Sequence, residues 1–293
     1  MNDDLGRIGI WTFALDAQPT AVAQDMAAEI EALGYGAIWV PEAVGRDPMV
    51  NAFLLASATE RITIATGIAS IYARGPMTMT SGWKAVSEAF PGRFLLGLGV
   101  SHQPMVAGLR GHDYSKPFSA MKQYLDAMDA ALYLAAAPTV EPQRCLAALG
   151  PKMLELAATR TRGAHPYYVP PEHTAVAREV MGPDALLAPE QKVILETDAT
   201  KAREIARANI TGYLGLPNYA NNLRRLGYTE EDITQCSDRL VDAIVVWGDV
   251  ETVRARVQAH HDAGADHVCL QVLPYTDATQ VRRDWQELAT ALL

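Results

Sequence analysis

The segment RFLLGLGV, residues 93–100, is a continuous apolar run from Phe94 onwards and carries two glycines near its end. Successive side chains of a strand point to opposite faces, so a run of this kind has both faces buried. Strands buried on both faces are typical of parallel sheets covered by helices. HVCLQVL, residues 267–273, has the same character. The two segments therefore predict a parallel α/β sheet.

Similar apolar runs alternate with Ala- and Leu-rich stretches along the chain. The stretch at residues 21–33 has apolar residues at helical spacing and ends before Gly34, which is a helix stop signal. Strand starts lie roughly 25 to 30 residues apart in the first hundred residues, about the length of one βα unit. The eight predicted strands cover residues 7–13, 37–40, 62–71, 93–100, 145–149, 164–169, 192–197 and 266–272.

Eight βα units suit a closed (β/α)8 TIM barrel or an open, doubly wound sheet. The open Rossmann sheet needs a glycine-rich phosphate turn after its first strand, but residues 11–16 read WTFALD. The chain also lacks a P-loop motif. The pattern therefore favours the barrel, whose active sites form at the C-terminal ends of the strands.

Residues 200–248 interrupt the rhythm, because no strand is predicted there and PNYANN, residues 217–222, indicates a polar turn. We expect a single domain over residues 1–293, with a helical insertion after strand seven at about 200–248. Eight units require roughly 250 residues, which accounts for the rest of the chain. Such an insertion is compatible with a lid over the site and equally with a packing extension.

The composition excludes several classes of protein. With 49% apolar residues the chain has enough apolar surface to fold, and its net charge of −9 argues against general nucleic-acid binding. The acidic start of the chain is unlike a secretory signal, and no 18-residue apolar window predicts a membrane span. Cys145, Cys236 and Cys269 form no CxxC pair, which argues against disulfides or a cysteine zinc site. We therefore expect a cytoplasmic protein that binds small molecules.

The predicted strand ends carry aromatic residues, glycines and few ionisable groups. They are Trp11, Phe13, Pro41, Glu42, Glu196, Gln271 and residues 67–70, 99–102, 150–153 and 165–168. Glycine lets a ring or a phosphate approach the backbone closely, and aromatic side chains supply a stacking wall. This set favours a flat conjugated ligand over a sugar, and it predicts no metal site.

Several of these positions have two interpretations. Gly97 and Gly99 resemble half of a dinucleotide fingerprint, or else permit tight strand packing. His102 could move a proton near neutral pH, or be a surface histidine. Glu42 could bind a ring N–H or act as a base, or pair with Arg46.

Two further features lie on predicted helices. Residues 150–153 place a glycine, a proline and Lys152 at a helix start, which suits a phosphate or a plain αβ corner. His260 and His261 are predicted to lie on a solvated helix face, since no metal-binding partner set accompanies them.

Seven segments, in order and spacing, resemble the luciferase-like monooxygenase superfamily, and within it the coenzyme F420-dependent oxidoreductases common in actinobacteria. They are GYGAIWVPEAVGRDP (34–48), TGIASIYARGP (66–76), FPGRFLLGLGVSH (90–102), LAALGPKMLELAA (146–158), RGAHPYYVPPEHTA (162–175), PNYANNLRRLGYTEEDI (217–233) and WGDVETVRARVQAHHDAGADHVCLQVLP (247–274). The resemblance thus covers nearly the whole chain.

The resemblance implies a cofactor ring at the C-terminal mouth of the barrel, on a bulge with a non-prolyl cis peptide at Gly67-Ile68. The implied cofactor-binding residues are Glu42, Gly67, Ile68, Ala69, Gly99, Val100, His102, Ala148, Leu149, Gly150, Pro151, Lys152 and Met153. His102 and Glu42 are the implied catalytic residues, although some relatives have Glu at the position of His102, which leaves the proton donor open. The implied substrate residues are Trp11, Phe13, His165 and Tyr168.

The implied function is hydride transfer between F420 and a small organic substrate. The alternatives are an FMN-dependent monooxygenase of the same superfamily and a barrel that binds a ligand without turning it over. Because F420 carries a phosphate and a polyglutamate tail, we expect the acidic chain to gather cations locally, at Arg74, Lys152 and Arg162. Relatives often dimerise through barrel helices, so the resemblance is also compatible with a homodimer.

Overall fold

A computed structural model of the chain describes residues 5–293, and its centre is one eleven-stranded sheet. All described strand pairings are parallel. The strands are β1 (Ile8–Trp11), β2 (Ala37–Val40), β3 (Thr63–Thr66), β4 (Ala69–Ser70), β5 (Phe94–Gly99), β6 (Gln143–Leu146), β7 (Gly163–Ala164), β8 (Leu186–Leu187), β9 (Glu190–Ile194), β10 (Val245–Trp247) and β11 (Val268–Val272).

Helices cover the sheet and connect its strands. They are α1 (Thr20–Ala32), α2 (Pro48–Ala56), α3 (Pro76–Ala89), α4 (Pro117–Asp129), α5 (Pro151–Arg160), α6 (Pro171–Met181), α7 (Ala199–Leu214), α8 (Pro217–Arg225), α9 (Glu230–Gln235), α10 (Asp238–Ile244), α11 (Val250–Asp262) and α12 (Ala278–Leu292), with a π-helical segment at Pro104–Leu109. Six α-helices, α2 to α6 and α8, begin with proline, whose missing N–H costs nothing in the first turn.

The pairing order curls the sheet back on itself. Along the sheet β1 is followed by β2, β3, β5, β6, β7 and β8 on one side and by β11, β9 and β10 on the other. Only Ala188 and Pro189 separate β8, which is one end of this order, from β9, which is the second strand from the other end. The predicted α/β class is confirmed, and the curled parallel sheet is TIM-barrel-like.

Two predictions for residues 200–248 are wrong. The segment contains a short strand, β10, which pairs with β9. Residues 217–222 form the start of helix α8 and not a turn. The physical reason is the spacing of Tyr219, Ala220 and Leu223, which places three apolar side chains on one buried helix face after Pro217.

The glycines of β5 serve close packing between strands. A Cβ added at Gly97 would lie 1.9 Å from the Thr66 carbonyl oxygen of β3, and one added at Gly99 would lie 2.3 Å from Cδ1 of Ile68. The close approach of β5 to β3 therefore requires glycine at position 97, and Gly99 leaves room for the Ile68 side chain.

Within residues 5–293, no helix is long and apolar enough to cross a membrane. The same residues include no group of three or more His, Cys, Asp or Glu side chains that could hold a metal ion. Cys145, Cys236 and Cys269 are buried and free.

The prediction of a solvated face for His260 is wrong, because this side chain is fully buried. Its Nδ1 lies 2.8 Å from Oγ1 of Thr174, and its Nε2 lies 3.0 Å from Oε1 of Gln191. Val253 and Val257 precede His260 at helical spacing, so the three residues share the face of α11 that packs inward.

Three buried histidines predict a stability that depends on pH. Burial lowers the pKa of His165 and His267 to about 4 and that of His260 to about 3, against 6.5 for an exposed histidine. Below pH 6.5 the unfolded chain therefore binds protons that the folded chain does not. The free energy of unfolding is therefore highest above pH 6.5. Each histidine lowers this free energy by about 1.4 kcal/mol per pH unit as the pH falls towards the pKa of that histidine in the folded chain.

Urea unfolding near pH 7.5 and near pH 5.5 measures this effect. We expect a clearly lower midpoint at the lower pH with an unchanged m-value. Equal midpoints at the two pH values would show that the buried histidines are not held neutral.

Candidate active site

A cavity of about 450 Å³ opens at the C-terminal ends of the strands. Its floor is formed by residues that follow β1, β3 and β7, and its sides by the loops after β2, β5 and β6. Helices α7 and α8 contribute Tyr213, Asn218, Tyr219, Asn221 and Arg225 from above. The 200–248 segment therefore covers this face of the sheet.

The bulge after β3 forms part of the floor, and its Gly67-Ile68 peptide bond is cis, as the resemblance implies. The Gly67 amide donates to the Val40 carbonyl at 2.8 Å, and Trp11 Nε1 donates to the Gly67 carbonyl at 3.0 Å. A Cβ at Gly67 would lie 2.6 Å from this indole nitrogen. The bulge thus lines the cavity, and glycine at position 67 lets the Trp11 indole pack directly against its backbone.

Glu42 is anchored below the rim by groups far from it in sequence. Its carboxylate accepts from Nη1 and Nη2 of Arg74, at 2.9 and 2.6 Å, and from the Ser70 amide at 2.7 Å. Arg46, the neighbour suggested by sequence, instead donates to the backbone carbonyls of Leu15 and Gln18. The Glu42 side chain is only 7% exposed. These three bonds use most of the carboxylate's acceptor sites, which favours a role in holding the bulge over a role as a base.

His102 is the half-buried imidazole of the cavity wall. Its Nδ1 lies 3.1 Å from Oδ1 of Asn218, and its ring lies 5.2 Å from that of Tyr219. Burial lowers its pKa below 6.5, and the bond to Asn218 offsets part of that shift. Because an amide oxygen only accepts, Nδ1 carries the hydrogen, and Nε2 is left to take or give a proton.

His165 lies under the bulge and is 1% exposed. Its Nδ1 donates to the Ala188 carbonyl at 2.7 Å, and its ring stacks on Trp39 at 4.3 Å. Its Nε2 has no hydrogen-bond partner among the described residues. Since burial holds its pKa at about 4, the ring supports the floor as a neutral imidazole.

The start of α5 forms the polar end of the cavity. Gly150 is the N-cap of α5, and Gly150 and Met153 line the cavity, so the positive end of the helix dipole borders the site. Arg225 reaches this corner from α8, where its guanidinium is 3.7 Å from the Cβ position of Gly150 and donates to Oδ1 of Asn222 at 3.1 Å. A helix start beside an arginine is an arrangement that binds phosphate.

The structure brings most of the predicted site residues together. Those that line the cavity are Trp11, Phe13, Glu42, Gly67, Ile68, Val100, His102, Ala148, Leu149, Gly150, Met153 and His165. Those that do not are Ala69, Gly99, Pro151, Lys152 and Tyr168. Ala69 pairs with β5, Ile68 fills the space beside Gly99, and Tyr168 points its hydroxyl at the Ile210 carbonyl.

The cations of the site differ from the three expected from sequence. Arg74 is bound to Glu42 and Asp47, and Lys152 is exposed on α5 outside the cavity lining. Arg162 precedes β7 and therefore lies at the opposite, N-terminal end of the sheet. Arg225 takes their place at the cavity. The only signal for Arg225 in the sequence is the helical spacing of residues 217–225, which overlaps the wrongly predicted turn at 217–222.

A protein family and a relative both match the part of the chain that forms this site. Residues 8–267 match the family described as luciferase-like monooxygenase. A protein of Mycobacterium tuberculosis named "Putative coenzyme F420-dependent oxidoreductase Rv3520c" is 26% identical over 339 residues, which cover 94% of this chain and 96% of the relative.

Solved structures share the fold at low identity. An F420-dependent secondary alcohol dehydrogenase in complex with an F420-acetone adduct is similar with a TM-score of 0.78 at 15% identity, covering 98% of this chain and 99% of that one. The coenzyme F420-dependent tetrahydromethanopterin reductase of Methanopyrus kandleri gives 0.76 at 17% identity with the same coverage. An FMN complex of a type II Baeyer-Villiger monooxygenase from Pseudomonas putida gives 0.68 at 15% identity, covering 98% of each chain.

The family match spans most of the chain and includes the bulge, the His102 loop and the start of α5. It agrees with the resemblance that the seven sequence segments carry. The chain belongs to the luciferase-like monooxygenase family of enzymes.

Proposed function

We propose that the chain is an F420-dependent oxidoreductase that transfers a hydride between the deazaflavin and a small organic substrate. In this proposal residues 1–293 form one domain, a complete (β/α)8 barrel in which residues 200–248 are an insertion over the mouth. The cofactor occupies the cavity at the C-terminal ends of the strands.

The observation that carries the proposal is the shape and chemistry of this cavity. One side is bordered by the Gly67-Ile68 bulge, against which a ring can lie, and the other by Gly150 and Arg225, where a phosphate can bind. Aromatic side chains close the remaining wall, and Trp11 and Phe13 contact each other at 4.9 Å. A ring with a phosphate-bearing tail fits between these two ends.

When bound, F420 supplies a ring carbon that gives or accepts a hydride. The chain orients the ring through the bulge, which Trp11 and Glu42 hold from below. His102 holds or releases the accompanying proton at Nε2, while Asn218 fixes its tautomer through Nδ1. The aromatic wall excludes water from the substrate side. None of these roles requires a nucleophile.

The relatives add support for F420 over FMN. The relative in Mycobacterium tuberculosis is named for F420, and two of the solved structures that share the fold are F420-dependent enzymes. The FMN-dependent monooxygenase remains the alternative, since an FMN complex shares the fold too. The two functions differ in their use of oxygen, which provides the test.

Anaerobic turnover separates the two functions. The full chain is mixed with reduced F420 and a panel of carbonyl and enone compounds, and with oxidised F420 and the matching alcohols, while the F420 absorbance is followed. We expect a substrate-dependent change of absorbance that proceeds equally well with and without oxygen. Turnover that requires reduced FMN and oxygen, and fails with F420, would establish the alternative.

A further inference from the structure

One wall of the cavity carries a pair of tyrosine hydroxyls. The Tyr167 hydroxyl lies 2.9 Å from Oε1 of Gln271 and 3.1 Å from the hydroxyl of Tyr213. Tyr167 follows β7, Gln271 belongs to β11, and Tyr213 belongs to α7. Both tyrosines line the cavity. The pair therefore joins the barrel to the covering segment at one wall of the cavity.

A buried ion pair supports this wall from behind. Nζ of Lys192 lies 3.0 Å from each carboxylate oxygen of Glu190 and 3.9 Å from the centre of the Tyr167 ring. Both charged side chains are 1% exposed. Glu190 also accepts the amide of Tyr168 at 3.1 Å. Well-packed apolar side chains of similar volume are often as stabilising as a buried ion pair, or more so. A positioning role therefore accounts better than stability for the presence of this ion pair. The cation fixes the Tyr167 ring through its π face.

The hydroxyl pair can bind either an alcohol oxygen or a carbonyl oxygen of a ligand. Tyr167 donates to Gln271, and Tyr213 donates to Tyr167, which leaves a lone pair on the Tyr213 oxygen. An alcohol O–H can donate to that lone pair. When a carbonyl takes its place, the Tyr213 hydrogen turns to the ligand and Tyr167 keeps its bond to Gln271. Burial raises the pKa of Tyr213, so the hydroxyl retains its hydrogen at neutral pH.

The neighbouring surface is aromatic. The rings of Trp11 and Tyr167 lie 4.9 Å apart, and Phe13 lies 5.3 Å from Tyr275. The indole N–H of Trp11 is already bound to the Gly67 carbonyl. A ligand body at this end therefore meets ring faces and edges, and the Tyr213 hydroxyl is the polar group beside it.

We propose that the Tyr213–Tyr167 hydroxyl pair is a subsite for the oxygen of an aryl carbonyl or aryl carbinol compound. Tyr213 contacts this oxygen directly, and Lys192 is a positioning residue that acts through Tyr167. The assignment of the oxygen to the reacting centre rests on the proposed function, whereas its binding does not.

Three compounds with one carbon skeleton test the subsite: acetophenone, 1-phenylethanol and ethylbenzene. Their dissociation constants for the full chain are measured by ligand-observed NMR without cofactor. We expect Tyr213→Phe to weaken binding of the ketone and the alcohol by about fivefold, the worth of one hydrogen bond, and to leave ethylbenzene within about twofold. Tyr133→Phe is the matched control, since this half-buried tyrosine contacts Lys84 outside the cavity. An equal effect of Tyr213→Phe on all three compounds, or none, would overturn the proposal.

A test of the positioning role of Lys192 requires a variant that still folds. Replacing Lys192 by Met and Glu190 by Gln together removes both charges, which avoids an unpaired buried ion. We expect this double variant to lose part of its preference for the oxygenated compounds while ethylbenzene binding persists. Full retention of that preference would assign the ion pair to stability alone.

The experiments distinguish a failure of the proposed F420-dependent function from a failure of the proposed oxygen subsite. Because the NMR comparison uses no cofactor, a chain that does not bind F420 can still show the oxygen subsite. A chain that binds and turns over F420 can equally show no selective effect of Tyr213→Phe.

Discussion

Replacing Lys192 alone by methionine is expected to lower the free energy of unfolding by about 3–5 kcal/mol. The substitution leaves the Glu190 carboxylate buried without its cation, and the Tyr167 ring loses its cation–π contact with Lys192. Burial raises the pKa of Glu190 and lowers that of Lys192, because each charge has lost its hydration, and each partner's charge offsets part of this cost. Urea unfolding at neutral pH gives the measurement.

An exposed lysine provides the control for this prediction. Lys201 is 70% exposed and pairs with Glu196 at 3.4 Å. Lys201→Met should change the free energy of unfolding by less than about 0.5 kcal/mol, since exposed ion pairs contribute little. The double variant at Lys192 and Glu190 should recover most of the loss. A Lys192→Met variant as stable as Lys201→Met would contradict the buried ion pair.

Replacing Arg225 by glutamine is expected to weaken F420 binding by about 10- to 100-fold, which is the range for a hydrogen bond to a charged group. Arg225 is the cation that reaches the start of α5, and within the described residues its side chain bonds only to the amide oxygen of Asn222. Its charge is therefore available to a phosphate. Quenching of F420 fluorescence at low ionic strength gives the affinities.

The adjacent arginine is the matched control. Arg224 lies on the same helix but is paired with Glu230 and does not line the cavity. Arg224→Gln should leave F420 affinity within about twofold, because exposed, paired charges far from the ligand act weakly through solvent. If both variants bind F420 as the original chain does, the phosphate end of the cofactor is not at Gly150.

The sheet was predictable from sequence because its strands are apolar on both faces. The runs at residues 93–100 and 267–273 became β5 and β11, close to the predicted limits. The burial of His260 could also be predicted from sequence, since the spacing of Val253 and Val257 places it on the buried face of α11. The wrong prediction there rested on the lack of a metal-binding partner set, which does not determine whether a side chain is buried.

The partners across the site could not be read from sequence. Glu42 binds Arg74, which is 32 positions away, and not the nearby Arg46. Arg225 meets Gly150 only because α8 folds over the strand ends. Spacing along a chain predicts which face a residue occupies, but the docking of one element on another depends on packing of the whole molecule. The contact between the Tyr167 and Tyr213 hydroxyls could not be predicted from sequence for the same reason.

Binding of F420 in the cavity can be measured by parallel equilibrium titrations of the full chain with oxidised F420 and with FMN, each followed by cofactor fluorescence. We expect saturable F420 binding that is at least about tenfold tighter than FMN binding, a difference of about 1.4 kcal/mol. FMN binding of equal or greater strength, or no F420 binding, would contradict this expectation.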